Sequence, residues 1–270
     1  MSALWSELRK HLQIYGLFVK NSLIAQLEYR FSFIGNFSME AGYLLVKLSY
    51  VVVVYRAGVT LNGLTPDEVL LFSGTFVALT GLYAGLFMIN NYNLRGLIKD
   101  GDLDLLLTKP VSTQFLVTLR RSDLTIFAVD VVAGGVMVAV AWARLGLPVS
   151  LATVGGYAVF FALSALVSYC LFLLPLLLTF WLLNATALAG IVDSFWDFNS
   201  MPMDIYSRWI QSVGIFVLPI FVITNFPPMA ALSRLSPAYM AWAVGLPVLL
   251  LWVVHVVWTR GLRAYNSASS

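Results

Sequence analysis

Arg95–Gly–Leu–Ile–Lys–Asp–Gly–Asp–Leu–Asp–Leu–Leu–Leu–Thr–Lys–Pro110 is a charged segment set between long apolar runs. Gly101 breaks the helix before it, Asp102 is placed to N-cap a new one, and Asp104 favours the positive first turn. Lys109 and Pro110 supply a cation and a stop. The pattern predicts a helix of about two turns with Leu103, Leu106 and Leu107 on one apolar face. So short a helix is unstable alone in water, so it packs on its own chain's helices, as an interfacial loop element, or in a partner's groove.

The flanks decide the class. Hydrophobic residues make up 60% of 270 positions and charged ones 11%, with a mean hydropathy of +0.87. An average soluble domain is about 25% charged. Such a chain is an all-α integral membrane protein. A bilayer core about 30 Å thick asks for roughly 20 residues per helix, which leaves room for about six transmembrane helices and short loops. A barrel is excluded because the apolar runs are continuous, whereas barrel strands alternate over about ten residues.

Periodicity and turn signals predict spans at 32–55, at 68–91 after Asn62–Gly–Leu–Thr–Pro66, at 122–143, from Leu151 onward after Gly146–Leu–Pro148, and at Ala238–Trp258. Residues 1–31 read as an N-terminal interfacial helix, with Leu4, Leu8, Leu12, Tyr15, Val19 and Leu23 at helical spacing. Arg9, Lys10, Lys20 and Arg30 interrupt that stretch, so no cleaved signal peptide is expected. Between 172 and 237 the pattern is broken by Pro175, Pro202, Pro219, Pro227 and Pro228. Two models remain for it. Hydropathy alone puts the fifth span at Trp209–Phe226. The other places it near 183–201 and makes 202–237 a re-entrant outer hairpin.

Orientation follows from the basic residues. Arg9, Lys10, Lys20, Arg30, Arg95, Lys99, Lys109, Arg120, Arg121, Arg260 and Arg263 fall on one side, while Arg56 and Arg144 mark the other. Positive residues stay inside, so both termini and the loop 92–121 are expected in the cytoplasm.

The chemistry is sparse. A net charge of +3 without a basic stripe excludes nucleic acid as a partner. Cys170 is the one cysteine, within an apolar run, and forms no intrachain disulfide. His11 and His255 sit at opposite ends of the sequence, and no HExxH or Cys/His cluster offers a metal site. None of the five lysines follows a glycine, so the phosphate-binding loop of an ATPase is absent. Any ATP hydrolysis belongs to another chain, and this one is not an enzyme.

Three ionisable groups fall inside apolar spans. A charge at mid-bilayer costs about 2.5–3.5 kcal/mol on insertion scales, so Glu40 and Lys47, two turns apart on nearly one face, must face protein or water. They read as the wall of a pathway or a dimer seam, or as internal hydrogen bonding that holds the bundle. About 10.5 Å of helical rise separates them, too far for a direct bond without snorkelling. Asp130 is a deep carboxylate with no obvious mate in sequence. Gly81-x-x-x-Gly85 reads as helix packing, and Asn90, Asn91 and Asn93 as helix-end caps.

Four features together resemble the six-span permease subunits of ABC exporters of the ABC-2 class. They are Gly101–Asp–Leu–Asp–Leu–Leu–Leu–Thr–Lys–Pro110, Leu27–Glu–Tyr–Arg30, Pro219 with Pro227–Pro228, and Arg260–Gly–Leu–Arg–Ala–Tyr–Asn266. The resemblance covers nearly the whole chain, read as a single domain over 1–270, and the first run is its specific part. It implies a coupling helix in the loop 92–121, with Lys99, Asp102, Leu103, Asp104, Leu106, Lys109 and Pro110 at a separate ATPase subunit. It also implies two ATPase subunits that bind ATP and Mg, and a second permease chain, the same or related. A multi-pass location in the cell (inner) membrane and alternating access that exports a substrate follow from the same resemblance. Re-entrant outer helices in such permeases favour the 183–201 span. The sequence departs from the pattern at Leu183–Asn184, where a basic residue would mark the inner end of the fourth span. An apolar, weakly charged bundle suits a hydrophobic or amphipathic substrate better than an ion. The alternative is an ATP-independent secondary transporter or channel, which predicts inverted repeats. No clear inverted pair is visible, and a membrane-embedded enzyme lacks a catalytic set.

Overall fold

A chain this apolar satisfies its backbone internally, and the computed structural model is helical, with no β-strand among the described residues 2–28, 30–58, 60, 62–182 and 186–265. An N-terminal helix α1 (Ser2–Glu28) is followed by α2 (Arg30–Ala57). Next comes α3 (Pro66–Tyr83), which passes through a π-helical turn, Ala84–Met88, into α4 (Ile89–Lys99). Two short helices, α5 (Leu103–Leu107) and α6 (Thr113–Leu119), lead into α7 (Leu124–Arg144) and α8 (Leu151–Leu177). The rest comprises α9 (Thr186–Phe198), α10 (Arg208–Phe216), α11 (Ile220–Ala231) and α12 (Pro237–Ala264).

Local chemistry sets these boundaries. At the start of α3 the Thr65 hydroxyl accepts the Glu68 amide at 3.3 Å, while the Glu68 carboxylate accepts the Thr65 amide at 2.8 Å. Pro66 takes the first helical position, where its missing N–H costs nothing. Ser150, Ser236 and Asp123 cap α8, α12 and α7 through their side-chain oxygens. Prolines within helices do not always stop them, since Pro175 lies inside α8, Pro227 and Pro228 inside α11, and Pro247 inside α12.

Five stretches are long and apolar enough to cross a membrane: Phe33–Ala57, Pro66–Lys99, Leu124–Arg144, Leu151–Phe180 and Pro237–Ala264. The α10–α11 pair passes the same test only if taken together, and it bends by 99°. The most buried of these five stretches is Pro66–Lys99, which begins with α3. It packs against α7 along a seam of small residues, where a Cβ added to Gly74, Gly81 or Gly85 would meet Met137, Asp130 or Phe127 at 2.8, 2.5 and 2.6 Å. Gly134 answers from α7, with the Ala78 amide nitrogen 2.4 Å from where its Cβ would be. Glycines at this spacing let the two backbones touch. On the other side of the bundle α8, α11 and α12 enclose a core that includes Phe172, Phe221 and Phe226.

The bundle has two distinct ends. At one, Arg144 pairs with Asp67 at 2.9 Å, Tyr55 donates to Asp67, Arg234 pairs with Glu68, and the Asn62 amide donates to the Asp204 carbonyl at 2.8 Å. At the other, Lys10 donates to the Pro110 carbonyl at 2.8 Å, and Gln26 to Asp123 at 3.1 Å. There the Phe180 ring meets Trp258 and Tyr265 at 5.6 and 6.4 Å between centroids. α9 leads from this second end to the first: Asp193 lies at Tyr92, Trp196 at Tyr83, and Asn199 at Thr224. The flanks of the α10–α11 pair, Asp204 and Arg234, both sit at the Asn62 end. Protein groups serve its irregular backbone. Trp242 donates to the Ile215 carbonyl at 2.9 Å, Ser164 to the Val222 carbonyl at 3.2 Å, and Asn225 accepts the Met203 amide at 2.8 Å.

Several boundaries differ from the expectations. Residues 92–99 are not loop. The helix runs on to Lys99 and stops where Gly101 takes φ +79°, so the inter-span loop starts near Asp100. α6 is an unforeseen second helix in that loop. α1 docks through His11 and Phe18, whose rings meet Phe115, while Leu8, Leu12 and Leu23 stay exposed. The Leu183–Asn184 departure lies outside the described residues.

Candidate functional site

The loop between α4 and α7 is held to the bundle by Asn90. Its amide donates to the Arg121 carbonyl at 2.6 Å and its oxygen accepts the Arg121 amide at 2.9 Å. Asn90 is therefore a buried cross-link within the helix, not an end cap, and its neighbour Asn91 is buried too. α5 is a single turn and a half. Asp102 occupies its N-cap position in a helical conformation without a side-chain cap bond, so Gly101 makes the turn instead: its carbonyl accepts the Asp104 amide at 3.1 Å. Asp104 stands beside the Tyr265 hydroxyl, and burial together with that carboxylate raises the tyrosine's pKa.

α5 is two-faced. Leu103 (0% exposed) and Leu106 enter the core beside Leu94, Leu116 and Val117. Leu105 (66% exposed) and Leu107 point away from it, with Thr108, Lys109 and Pro110 exposed after them. The expected face of Leu103, Leu106 and Leu107 is thus split, because helical spacing sends 103 and 106 inward and leaves 105 and 107 out. Asp102, Leu105, Lys109, Arg120 and Arg121 border a hollow of about 430 Å³. Lys99 is exposed at the end of α4.

A second feature is a cleft of about 690 Å³ between α2, α3–α4 and α9. Glu40 and Lys47 both line it. Asp130, 1% exposed on α7, packs against Gly81 within electrostatic reach of Glu40 and Lys47, so the carboxylate without a mate in sequence has two charged neighbours in space, though its Oδ2 has no hydrogen-bond partner among the described residues. One wall is aromatic: Trp196 stacks on Tyr83 at 4.9 Å and lies 6.0 Å from Phe76. Tyr92 donates to Asp193 beside it. Sequence reasoning gave Asp193 and Asp197 no role and missed Trp196. Their signal is the i, i+3, i+4 spacing of 193, 196 and 197 on one face of a short helix.

Five long apolar stretches, two of them joined by the small-residue seam of α3 and α7, define a multi-pass helical membrane protein. The chain belongs to the ABC-2 transporter family: the family model described as ABC-2 family transporter protein matches residues 41–269. Members of this family form the membrane permease component of ABC transporters, which implies a bilayer around the chain and ABC ATPase subunits as partners. Comparison with the curated proteins and with the solved structures finds no match.

Proposed function

We propose that the chain is the permease subunit of an exporter and moves a hydrophobic or amphipathic substrate out of the cell by alternating access. Two ATPase subunits, which bind ATP and Mg, dock at Leu105, Leu107 and Lys109, with Lys99, Asp102, Asp104 and Pro110 around them. Leu103 and Leu106 transmit that contact to the spans. The carrying observation is the two-sidedness of α5, one face fixed in the core and the other presenting leucines outward. A turn so short gains stability from its neighbours, so a push on its outer face acts on α4 and α6 directly.

In this reading the Leu103 end is cytoplasmic, in the inner membrane of the cell, in line with the bias of basic residues. α1 lies in the interface with its exposed leucines in lipid. The fifth of six spans falls near 183–201, of which α9 supplies 13 helical residues, about 20 Å of rise and short of a full crossing by itself, and α10–α11 is a re-entrant outer hairpin. A second permease chain, the same or related, closes the cleft, with Glu40, Lys47 and Asp130 toward the seam. One observation favours an ATP-independent transporter instead, namely the convergence of those same three ionisable groups inside the bundle. Purifying the tagged chain from its native membrane in mild detergent separates the two. The exporter reading expects an ATPase subunit in the complex. Gradient-driven flux by the chain alone in liposomes would overturn it.

A further inference from the structure

The cleft between α2, α3–α4 and α9 has a sign as well as a shape. Glu40, Asp193 and Asp197 face it with one opposing ammonium, Lys47, so three carboxylates stand against one cation. None of the three carboxylates forms a direct ion pair among the described residues. The Tyr92 hydroxyl holds the Asp193 side chain at the wall. Its volume of about 690 Å³ falls within the range of small-molecule sites, and most of its lining is apolar or aromatic.

The aromatic wall already holds a cation. The Lys47 ammonium stands 4.6 Å from the centroid of Phe76, whose ring neighbours Trp196, which in turn stacks on Tyr83. Tyr83 is 3% exposed, lines the same cleft, and its hydroxyl lacks a hydrogen-bond partner. Asp193 and Asp197 are exposed and Trp196 is half-buried, and at such an open site a positive charge over an aromatic ring gains about two- to fivefold in affinity. The same surroundings repel an anion of equal size, since Lys47, the one ammonium on the lining, is shared between Glu40 and the buried Asp130 behind it, and Asp193 and Asp197 have no cation to offset them among the described residues.

We propose that this cleft binds a hydrophobic organic cation, its charge taken by Glu40, Asp193 and Asp197 and its apolar body by the Trp196–Tyr83 wall. Lys47 is a tethered competitor for the carboxylates: its ammonium stands over Phe76 beside Glu40 until the ligand's charge takes its place. That the bound cation is cargo rests on the exporter reading above. The binding itself does not.

The test uses the full-length chain in lipid nanodiscs and equilibrium dialysis of tetraphenylphosphonium against tetraphenylborate, ions of one shape and opposite charge, with empty discs as baseline. The expected result is saturable, protein-dependent binding of the phosphonium and none of the borate. Asp193→Asn with Asp197→Asn weakens phosphonium binding by about tenfold or more, and Lys47→Gln tightens it. Lys47→Gln also keeps the test open if the double variant fails to fold. Equal binding of both ions, no saturable binding, or a Lys47→Gln variant that binds no tighter would overturn the proposal. Association with an ATPase is read on the same preparations. A chain that carries an ATPase yet does not discriminate the ions loses this site and keeps the exporter reading. A chain that discriminates without an ATPase does the reverse.

Discussion

Gly81 faces Asp130 across the α3–α7 seam so closely that a Cβ built on the glycine would stand 2.5 Å from the aspartate's Cβ. The same contact that lets two backbones touch also aims a carboxylate at α2, where Glu40 and Lys47 are. Packing and polarity meet at one point in the bundle.

Gly81→Ala or Gly134→Ala is therefore expected to force the seam apart, at about 1–3 kcal/mol of overpacking each. Gly135, one position along α7, has nothing within 4 Å of its Cβ, so Gly135→Ala should be near neutral. Thermal melts of the detergent-purified chain compare the three. Equal melting points for Gly134→Ala and Gly135→Ala would mean the seam is not as tight as described.

In α5, burial separates two leucines that composition cannot. Leu103→Ala empties a closed core position and should lower stability by about 2–5 kcal/mol, while Leu105→Ala should change it little. The reverse order in chemical or thermal unfolding would show that α5 is docked with the other face inward.

The long spans are legible in the sequence because continuous hydropathy and turn residues such as Pro66 and Gly146–Leu–Pro148 mark their ends. Composition misleads where a polar residue has a tertiary duty. Asn90 looks like the end of a helix and is in fact the bond that pins Arg121. Hydropathy also measures residues and not paths: 209–226 reads as one apolar run, and the two helices that carry it bend by 99°. Glu40 and Lys47 stand out as charges in an apolar run. The partnership of Asp130 with them, and the Trp196–Tyr83 wall, depend on which helices pack together, which one sequence does not state.

Topology is checked with single cysteines in a Cys170→Ser background. Asn62→Cys and Ser207→Cys should react with a membrane-impermeant reagent added outside sealed cells. Ser2→Cys and Ser269→Cys should react only after permeabilisation. Protection of Ser207→Cys in intact cells would make 209–226 a full crossing.

Asp204 is half-buried, and burial raises its carboxyl pKa despite the partial offset from Arg234. A raised acid favours the fold at pH values below its ordinary 3.8, and that contribution is lost as pH rises through its folded value. Asp204→Asn should accordingly raise the melting temperature at neutral pH, with the gain shrinking as pH is lowered. A variant less stable than the parent at neutral pH would mean that the charged carboxylate is the favoured form.

The most direct measurement is a cross-link from the outer face of α5. With Leu105→Cys in the Cys170→Ser background, the complex purified from native membranes is treated with a short thiol-to-amine cross-linker. The expected product joins this chain to an ATPase subunit, and Leu103→Cys, closed in the core, gives none. An ATPase that co-purifies but cross-links at neither position, or a Leu105→Cys chain that joins only to itself, would contradict coupling through this helix.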